Sequence, residues 1–168
     1  NYYNQNFTKR DLFGKMIFPN SGSVVVDLEM QDKPFGISML PYGKKYNYYT
    51  PNEIKYFDVK TPYTEFIYEA GVKEGNFLST TFSHNLNSRF NYTFHYRGLN
   101  SEGRFRNEGN KNNSFVFSTN YKSKNERFKL EGHWASQKFR TQENGGVQDI
   151  NDFIYQDERR LTNVRNIN

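Results

Sequence analysis

The sequence predicts an all-β fold, and more specifically a portion of an antiparallel transmembrane β-barrel. Aromatic residues make up 18% of the chain, although its mean hydropathy is only −0.97. No run of apolar residues is long enough to form a transmembrane helix. From residue 63 onward, aromatic and polar side chains alternate with a period of two. This alternation is typical of barrel strands that face lipid on one side and water on the other.

The proline distribution divides the chain into two parts. All five prolines lie at or before Pro62, and none follows. Proline cannot donate a hydrogen bond to a neighbouring strand, so it is unwelcome inside a sheet. We therefore expect residues 1–62 to form an irregular N-terminal segment, either in the periplasm or inside the barrel lumen, and the strands to follow it.

Five strands are predicted after this segment. The clearest alternation is RFNYTFHYRG, in which every second side chain is aromatic and the others are polar. The predicted strands cover residues 63–72, 76–86, 89–98, 114–123 and 126–139. Residues 63–139 are thus expected to span the membrane, and residues 140–168 to form a long external loop.

The turns set the expected pairing between strands, because residues opposite one another in a hairpin lie on the same face. A turn at 73–75 would pair Phe66 with Phe82. A three-residue turn at 87–89 would pair Phe82 with Phe94, and a two-residue turn at 124–125 would place Phe117 opposite Gly132. The connections 99–113 and 140–168 are long, and long loops of outer-membrane barrels are external.

The aromatic face of these strands is predicted to contact lipid. A soluble β-sandwich, with the aromatic face packed on a second sheet, is the alternative, but such cores prefer Val, Ile and Leu. Tyrosine also suits the headgroup region of a membrane, since its ring is apolar and its hydroxyl can hydrogen-bond with water. The predicted lipid-facing residues are Phe66, Tyr68, Phe82, Phe90, Tyr92, Phe94, Tyr96, Phe115, Phe117, Tyr121, Phe128, Leu130 and Trp134.

The opposite face is predicted to line a watery lumen, because charged side chains recur on it in consecutive strands. Five basic and three acidic residues give at most a mild preference for anions, and the same residues could simply solvate the lumen or bond to a plug. His95 and His133 lie two strands apart and lack a short metal spacing, so no metal site and no cofactor is expected. The predicted lumen-facing residues are Glu65, Glu69, Arg89, Arg97, Lys122, Arg127, Lys129, Glu131, His95 and His133.

Charge and motifs argue against several other functions. The net charge is +5, but the 23 basic residues are scattered among 18 acidic ones, so a nucleic-acid partner is not expected. The chain has no cysteine, which excludes disulfides and thiolate chemistry. No nucleophile elbow is visible. An outer-membrane barrel enzyme nevertheless stays open, since triads assemble from distant parts of a sequence.

Several stretches resemble the putative porins of Bacteroidota. They are RDLFG at 10–14, IKYFDVKTPYTEFIYEAG at 54–71, RFNYTFHYRGLNSEGRF at 89–105 and ENGG at 143–146. The resemblance covers most of the chain. It implies a location in the bacterial outer membrane and implies that the chain is the N-terminal portion of a longer barrel.

Three functions are compatible with these observations. The favoured one is passive diffusion of small solutes through a porin-like barrel. The alternatives are a non-conducting barrel that serves as scaffold or client in a larger outer-membrane complex, and a barrel enzyme. Five strands are too few to close a membrane barrel, so the remaining strands must come from the same polypeptide or a partner barrel. The other expected partners are the lipid bilayer and its lipopolysaccharide leaflet.

Overall fold

Most of the strand region is described by the computed structural model. It covers residues 14–17, 20–28, 42–44, 47–70, 75–103, 106–149 and 164–166, with the isolated positions 151 and 154. The predicted turn at 73–75 lies outside the described residues except for Gly75. Of the RDLFG stretch, only Gly14 is described.

Five long strands form one antiparallel meander, as predicted. In chain order they are β3 (Tyr63–Ala70), β4 (Asn76–Asn87), β5 (Phe90–Ser101), β6 (Asn110–Lys122) and β7 (Lys129–Thr141). Each strand pairs with its neighbour in sequence, in the order β3-β4-β5-β6-β7. Strands β4 to β7 have 12 or 13 residues, more than the roughly 9–11 that a tilted strand needs to cross a bilayer.

The remaining elements of the described residues are short. β1 (Lys15–Ile17) pairs with β2 (Val25–Asp27), and 3-10 helices cover Tyr42–Lys44 and Pro51–Glu53. β8 (Asn144–Val147) pairs with β9 (Val164–Asn166). The stretch 140–168, predicted as a loop, therefore contains the end of β7 and a small two-stranded sheet.

The strand ends differ from the prediction at the loop that joins β5 and β6. This connection was expected over 99–113, but pairing continues to Ser101 opposite Asn110. Asn110 and Asn112 carry little strand propensity, yet the ladder continues through them because their side chains are buried against other parts of the chain. The loop is therefore confined to residues 102–109.

The predicted pairing is right in one hairpin and wrong in two. Phe82 pairs with Phe94 as expected, with a two-residue turn at 88–89 and a register shift between Asn85 and Asn87. In the other two hairpins the register is displaced by two residues. Phe66 lies opposite Thr80 instead of Phe82, and Gly132 lies opposite Thr119 instead of Phe117.

A longer loop explains the displaced register between β6 and β7. The expected turn is present, with the Glu126 amide donating to the Ser123 carbonyl. Glu126 then adopts a φ of 56°, and the Ser123 amide donates to the Phe128 carbonyl. The ladder therefore resumes two residues later than a two-residue turn would allow. A shift of two residues leaves every side chain on its predicted face.

The sheet has one aromatic and one polar face, and their burial is inverted relative to a soluble protein. On the aromatic face Phe66 is 68% exposed and Trp134 is 60% exposed. On the polar face Ser83 is 0% exposed and Thr93 is 2% exposed. Within the described residues, no second sheet covers the aromatic face, as the β-sandwich alternative would require.

Candidate functional site

The polar face is covered by the chain segment that precedes β3. We define the covering segment as residues 47–59. It runs in the direction of β6, because its contacts advance from Ser118 to Asn120 and then to Lys122 as the segment advances from Lys55 to Asp58. Small polar side chains dominate the buried part of this face, which allows the segment to lie close to the strands.

Tyr49 is the central contact of the covering segment. Its hydroxyl lies 2.7 Å from Nε2 of His95, whose Nδ1 lies 2.8 Å from the Thr81 hydroxyl. Gln137 holds the Tyr49 backbone twice, since its Oε1 accepts from the Tyr49 amide at 2.8 Å and its Nε2 donates to the Tyr49 carbonyl at 3.0 Å. Strands β5 and β7 therefore fix the same residue from two sides.

Arg97 makes the second anchor near this point. Its guanidinium donates to the Asn47 carbonyl at 2.6 Å and lies 4.2 Å from the centre of the Tyr49 ring. A cation over an aromatic face is attracted by the ring quadrupole. Asn47 in turn donates to the Gly22 carbonyl at 2.9 Å, so Arg97 is linked to the earlier part of the N-terminal region.

Gly22 marks where the chain comes closest to the sheet at the end that carries loop 102–109. Its φ is +82°, and a Cβ placed there would lie 2.6 Å from a Leu99 methyl group. Nearby, Asn20 accepts from the Ser101 hydroxyl, and Asn110 donates to the Ser23 hydroxyl at 3.0 Å. Only glycine fits this conformation and this space together.

The other end of the covering segment is held at the short-turn end of the sheet. The Tyr56 hydroxyl lies 2.6 Å from Nδ1 of His133. Asp58 pairs with Lys122 and accepts from Asn85 at 3.0 Å. Hydrogen bonding from Lys122, followed by that from Asn85, lowers the pKa of Asp58 below its ordinary value. The segment thus crosses the polar face from one end of the strands to the other.

Four buried amide oxygens at this interface have no protein partner among the described residues. They belong to Asn47, Asn110, Asn112 and Asn120. Buried carbonyl groups are normally paired with protein or with ordered water. The covered polar face is therefore a polar interface that can take up water, and not a dry core.

Eight of the ten predicted lumen-facing residues lie on the polar face. The other two do not lie in a strand: Arg89 is in the turn between β4 and β5, and Arg127 is in the loop between β6 and β7. The sequence alternation extended the predicted strands too far into these connections. Those on the polar face are Glu65, Glu69, His95, Arg97, Lys122, Lys129, Glu131 and His133.

Twelve of the thirteen predicted lipid-facing residues lie on the aromatic face, and Phe128 lies in the loop before β7. Neighbouring rings on this face contact one another, as Phe94 and Phe117 do with centroids 5.1 Å apart. The twelve residues are Phe66, Tyr68, Phe82, Phe90, Tyr92, Phe94, Tyr96, Phe115, Phe117, Tyr121, Leu130 and Trp134.

Sequence reasoning missed the partners from the N-terminal region, chiefly Tyr49, Tyr56 and Asp58. The residues they contact were identified as lumen-facing groups that solvate the lumen or bond to a plug, but no partner was assigned to any of them. One signal was available: Ser79, Thr81, Ser83 and Thr93 are small, whereas an open lumen places no limit on side-chain size. Small side chains on one face indicate that another part of the chain packs closely against it.

The two histidines of this site, His95 and His133, lie against hydroxyl groups. Within the ranges described, no group of three His, Asp or Glu residues could hold a metal ion. Both ring nitrogens of His95 already have hydroxyl partners. In the same ranges, no helix is long and apolar enough to cross a membrane.

Comparison with known proteins decides the family. The model of the family described as "Putative porin" matches residues 1–168. The chain belongs to this family. No curated protein and no solved structure matches it. Membership in this family supports a porin-like outer-membrane protein.

Proposed function

We propose that this porin-family chain forms part of an outer-membrane barrel that lets small solutes diffuse passively, with a weak preference for anions. The polar face lines the lumen, the aromatic face contacts lipid, and the covering segment lies inside the lumen and narrows it. The observation that carries the proposal is that the small polar side chains of one face are buried, whereas the aromatic side chains of the other face are exposed.

The location of the covering segment follows from solvent preference. Its contacts with the sheet are polar, as between Tyr49 and His95 or between Asp58 and Lys122. Polar groups whose hydrogen bonding is incomplete cost several kcal/mol each in lipid, where no water can complete it. A watery lumen accommodates both the segment and the unpaired amide oxygens of the interface.

The anion preference is weak because basic and acidic residues of the strands are equal in number on the polar face. They are Arg97, Lys122 and Lys129 against Glu65, Glu69 and Glu131. The remaining basic residues of the predicted lumen set, Arg89 and Arg127, lie in the connections at the short-turn end. Lys122 pairs with Asp58, and Lys129 pairs with Glu131. Arg97 contacts the Asn47 carbonyl and the Tyr49 ring. Neither group is charged, so these contacts do not neutralise the positive charge of Arg97. Rings of basic residues select anions in pores, and a partly neutralised ring selects them only mildly.

A non-conducting barrel is the second candidate. It is favoured by the length of the covering segment, which is anchored near both ends of the strands, at Asn47 and at Asp58. A lumen of small diameter would be filled by such a segment. The barrel would then serve as a scaffold or a client in a larger outer-membrane complex.

Single-channel conductance of the full-length protein in a planar bilayer separates the two candidates. Stable ohmic steps support the diffusion channel, and Lys129→Glu should then shift ion selectivity toward cations. Lys138→Glu is the matched control, because Lys138 lies on the aromatic face and should leave selectivity unchanged. A silent bilayer, with protein that is folded by its heat-modifiable mobility on gels, would contradict the channel and favour the scaffold.

A further inference from the structure

Three basic residues form an exposed patch on the aromatic face, beyond the aromatic rings. We define the basic patch as Lys111 on β6 with Lys138 and Arg140 on β7. All three are exposed, and the register places Lys111 directly opposite Arg140. Lys138 is two residues from Arg140 and therefore lies on the same face. The patch is at the end of the sheet that carries loop 102–109.

The pairing within the basic patch is unfavourable without an anion. Like charges directly opposite each other on neighbouring strands repel. At the other end of the sheet, Lys122 and Lys129 each have a carboxylate partner. Among the described residues no carboxylate forms a salt bridge with Lys111, Lys138 or Arg140. An anion bound between Lys111 and Arg140 would offset the repulsion between their positive charges.

The depth of the basic patch matches a membrane interface. Tyr121 and Lys111 are ten residues apart on the same face of β6, or roughly 33 Å along a strand. For a strand tilted by about 40° this distance is roughly 25 Å along the membrane normal, the height of the apolar band of outer-membrane barrels. If Tyr121 lies at one interface, the basic patch lies at the other.

A cleft adjoins the basic patch at the same end of the sheet. It has a volume of about 470 Å³ and is lined by Lys111 and Arg140, by the exposed Arg106 of the loop, and by one acidic residue, Glu102. Arginine and lysine are the side chains that bind phosphate most strongly, arginine through two parallel hydrogen bonds. The cleft thus presents three cations to a group that approaches from the headgroup region.

We propose that the basic patch and this cleft bind the phosphate groups of a lipid headgroup in the outer leaflet, namely the phosphorylated disaccharide of lipopolysaccharide. The inference rests on the proposed function for the orientation of the sheet, in which the longer loops are external. The cations of the site lie away from the lumen, on the aromatic face and in loop 102–109, although Ser101 and Asn110 of the polar face also line the cleft.

The test measures lipid bound to the full-length protein, purified in detergent and mixed with phosphorylated or dephosphorylated lipid A, by native mass spectrometry. The variant is the double substitution Lys111→Gln and Arg140→Gln. The matched control is Lys60→Gln with Lys124→Gln, which removes the same charge from exposed residues at the short-turn end. Heat-modifiable mobility establishes that each variant is folded.

We expect the wild type to prefer phosphorylated lipid A at least fivefold, and the double variant to lose that preference while the control keeps it. Equal binding of both lipids by the wild type, or equal loss in variant and control, would overturn the site. Binding of inorganic phosphate as tight as that of lipid A would also overturn it, in favour of a free-phosphate site. Conductance tests the channel separately, so the two proposals fail in distinguishable ways.

Discussion

Asp58 is the residue at which the attachment of the covering segment depends on ionisation. Its carboxylate accepts from Lys122 and Asn85, and these bonds lower its pKa. A carboxyl group whose pKa is lower in the folded than in the unfolded state stabilises the fold above its unfolded pKa. This contribution disappears as the pH falls through the folded value.

We therefore expect the stability advantage of the wild type over Asp58→Asn to be full near neutral pH and to shrink toward zero below a pH of about 4, the ordinary pKa of aspartate. Urea unfolding of the full-length protein in detergent, repeated from pH 7 to pH 3, measures the difference. Asp149→Asn is a control at an exposed aspartate. An advantage that stays constant over the whole range would show that Asp58 contributes through shape and not through charge.

Tyr49 offers a second test at the level of a single residue. Tyr49→Phe removes the hydroxyl that lies 2.7 Å from His95 but keeps the ring beneath Arg97. The expected loss in free energy of unfolding is about 0.5–1.5 kcal/mol, the usual net contribution of one hydrogen bond. Tyr48→Phe, next in sequence and packed edge-on against Phe139, should lose less. Equal losses for the two variants would contradict the role of the hydroxyl.

At the scale of the strands, the sequence determines which face a side chain occupies but not its partner. Phe117 and Thr119 have the same alternation, so either could lie opposite Gly132. The choice depends on the loop, where Glu126 adopts a positive φ that the sequence does not signal, since non-glycine residues adopt it rarely. Between β4 and β5 the pairing was predicted correctly, but the turn has two residues, 88–89, and not the expected three, 87–89. The register shift between Asn85 and Asn87 makes the two compatible.

The register of β6 and β7 can be tested by cross-linking. Thr119→Cys with Gly132→Cys should form a disulfide on mild oxidation, because a Cβ at Gly132 would lie 3.5 Å from the Thr119 hydroxyl oxygen. Phe117→Cys with Gly132→Cys is the control that the sequence-based register favours. Its Cβ atoms would be roughly 7–8 Å apart in the observed register. Counting the free thiols after oxidation shows which pair has formed a disulfide. A disulfide in the 117/132 variant but not in the 119/132 variant would show that the observed register is wrong.

The covering segment marks the limit of what this sequence predicts at the scale of elements. The sequence indicates an irregular segment through its prolines, and it indicates the polar face through alternation. It leaves open whether the two meet and does not indicate which residues would pair, because contacts such as Tyr56 with His133 join residues 77 positions apart. Long-range polar contacts have no periodicity, and the small residues of the polar face were the only indirect sign of them.

At the scale of the whole molecule, the two faces of the sheet account for the composition of the chain. Aromatic side chains supply most of the apolar surface of one face. Serine, threonine and asparagine side chains make up most of the buried part of the other face, beneath the covering segment. A soluble protein would bury the first face and expose the second. Membership in the porin family agrees with the opposite arrangement, in which lipid is the apolar solvent.

Trp134 provides the most direct measurement of this central claim, because it is the one tryptophan of the chain and is 60% exposed on the aromatic face. We would reconstitute the full-length protein in vesicles and take the Trp134 emission as the difference between wild type and Trp134→Phe. Brominated phospholipids should quench this emission strongly and aqueous iodide only weakly. Strong quenching by iodide, with none by brominated lipid, would show that the aromatic face contacts water or protein and would contradict the account.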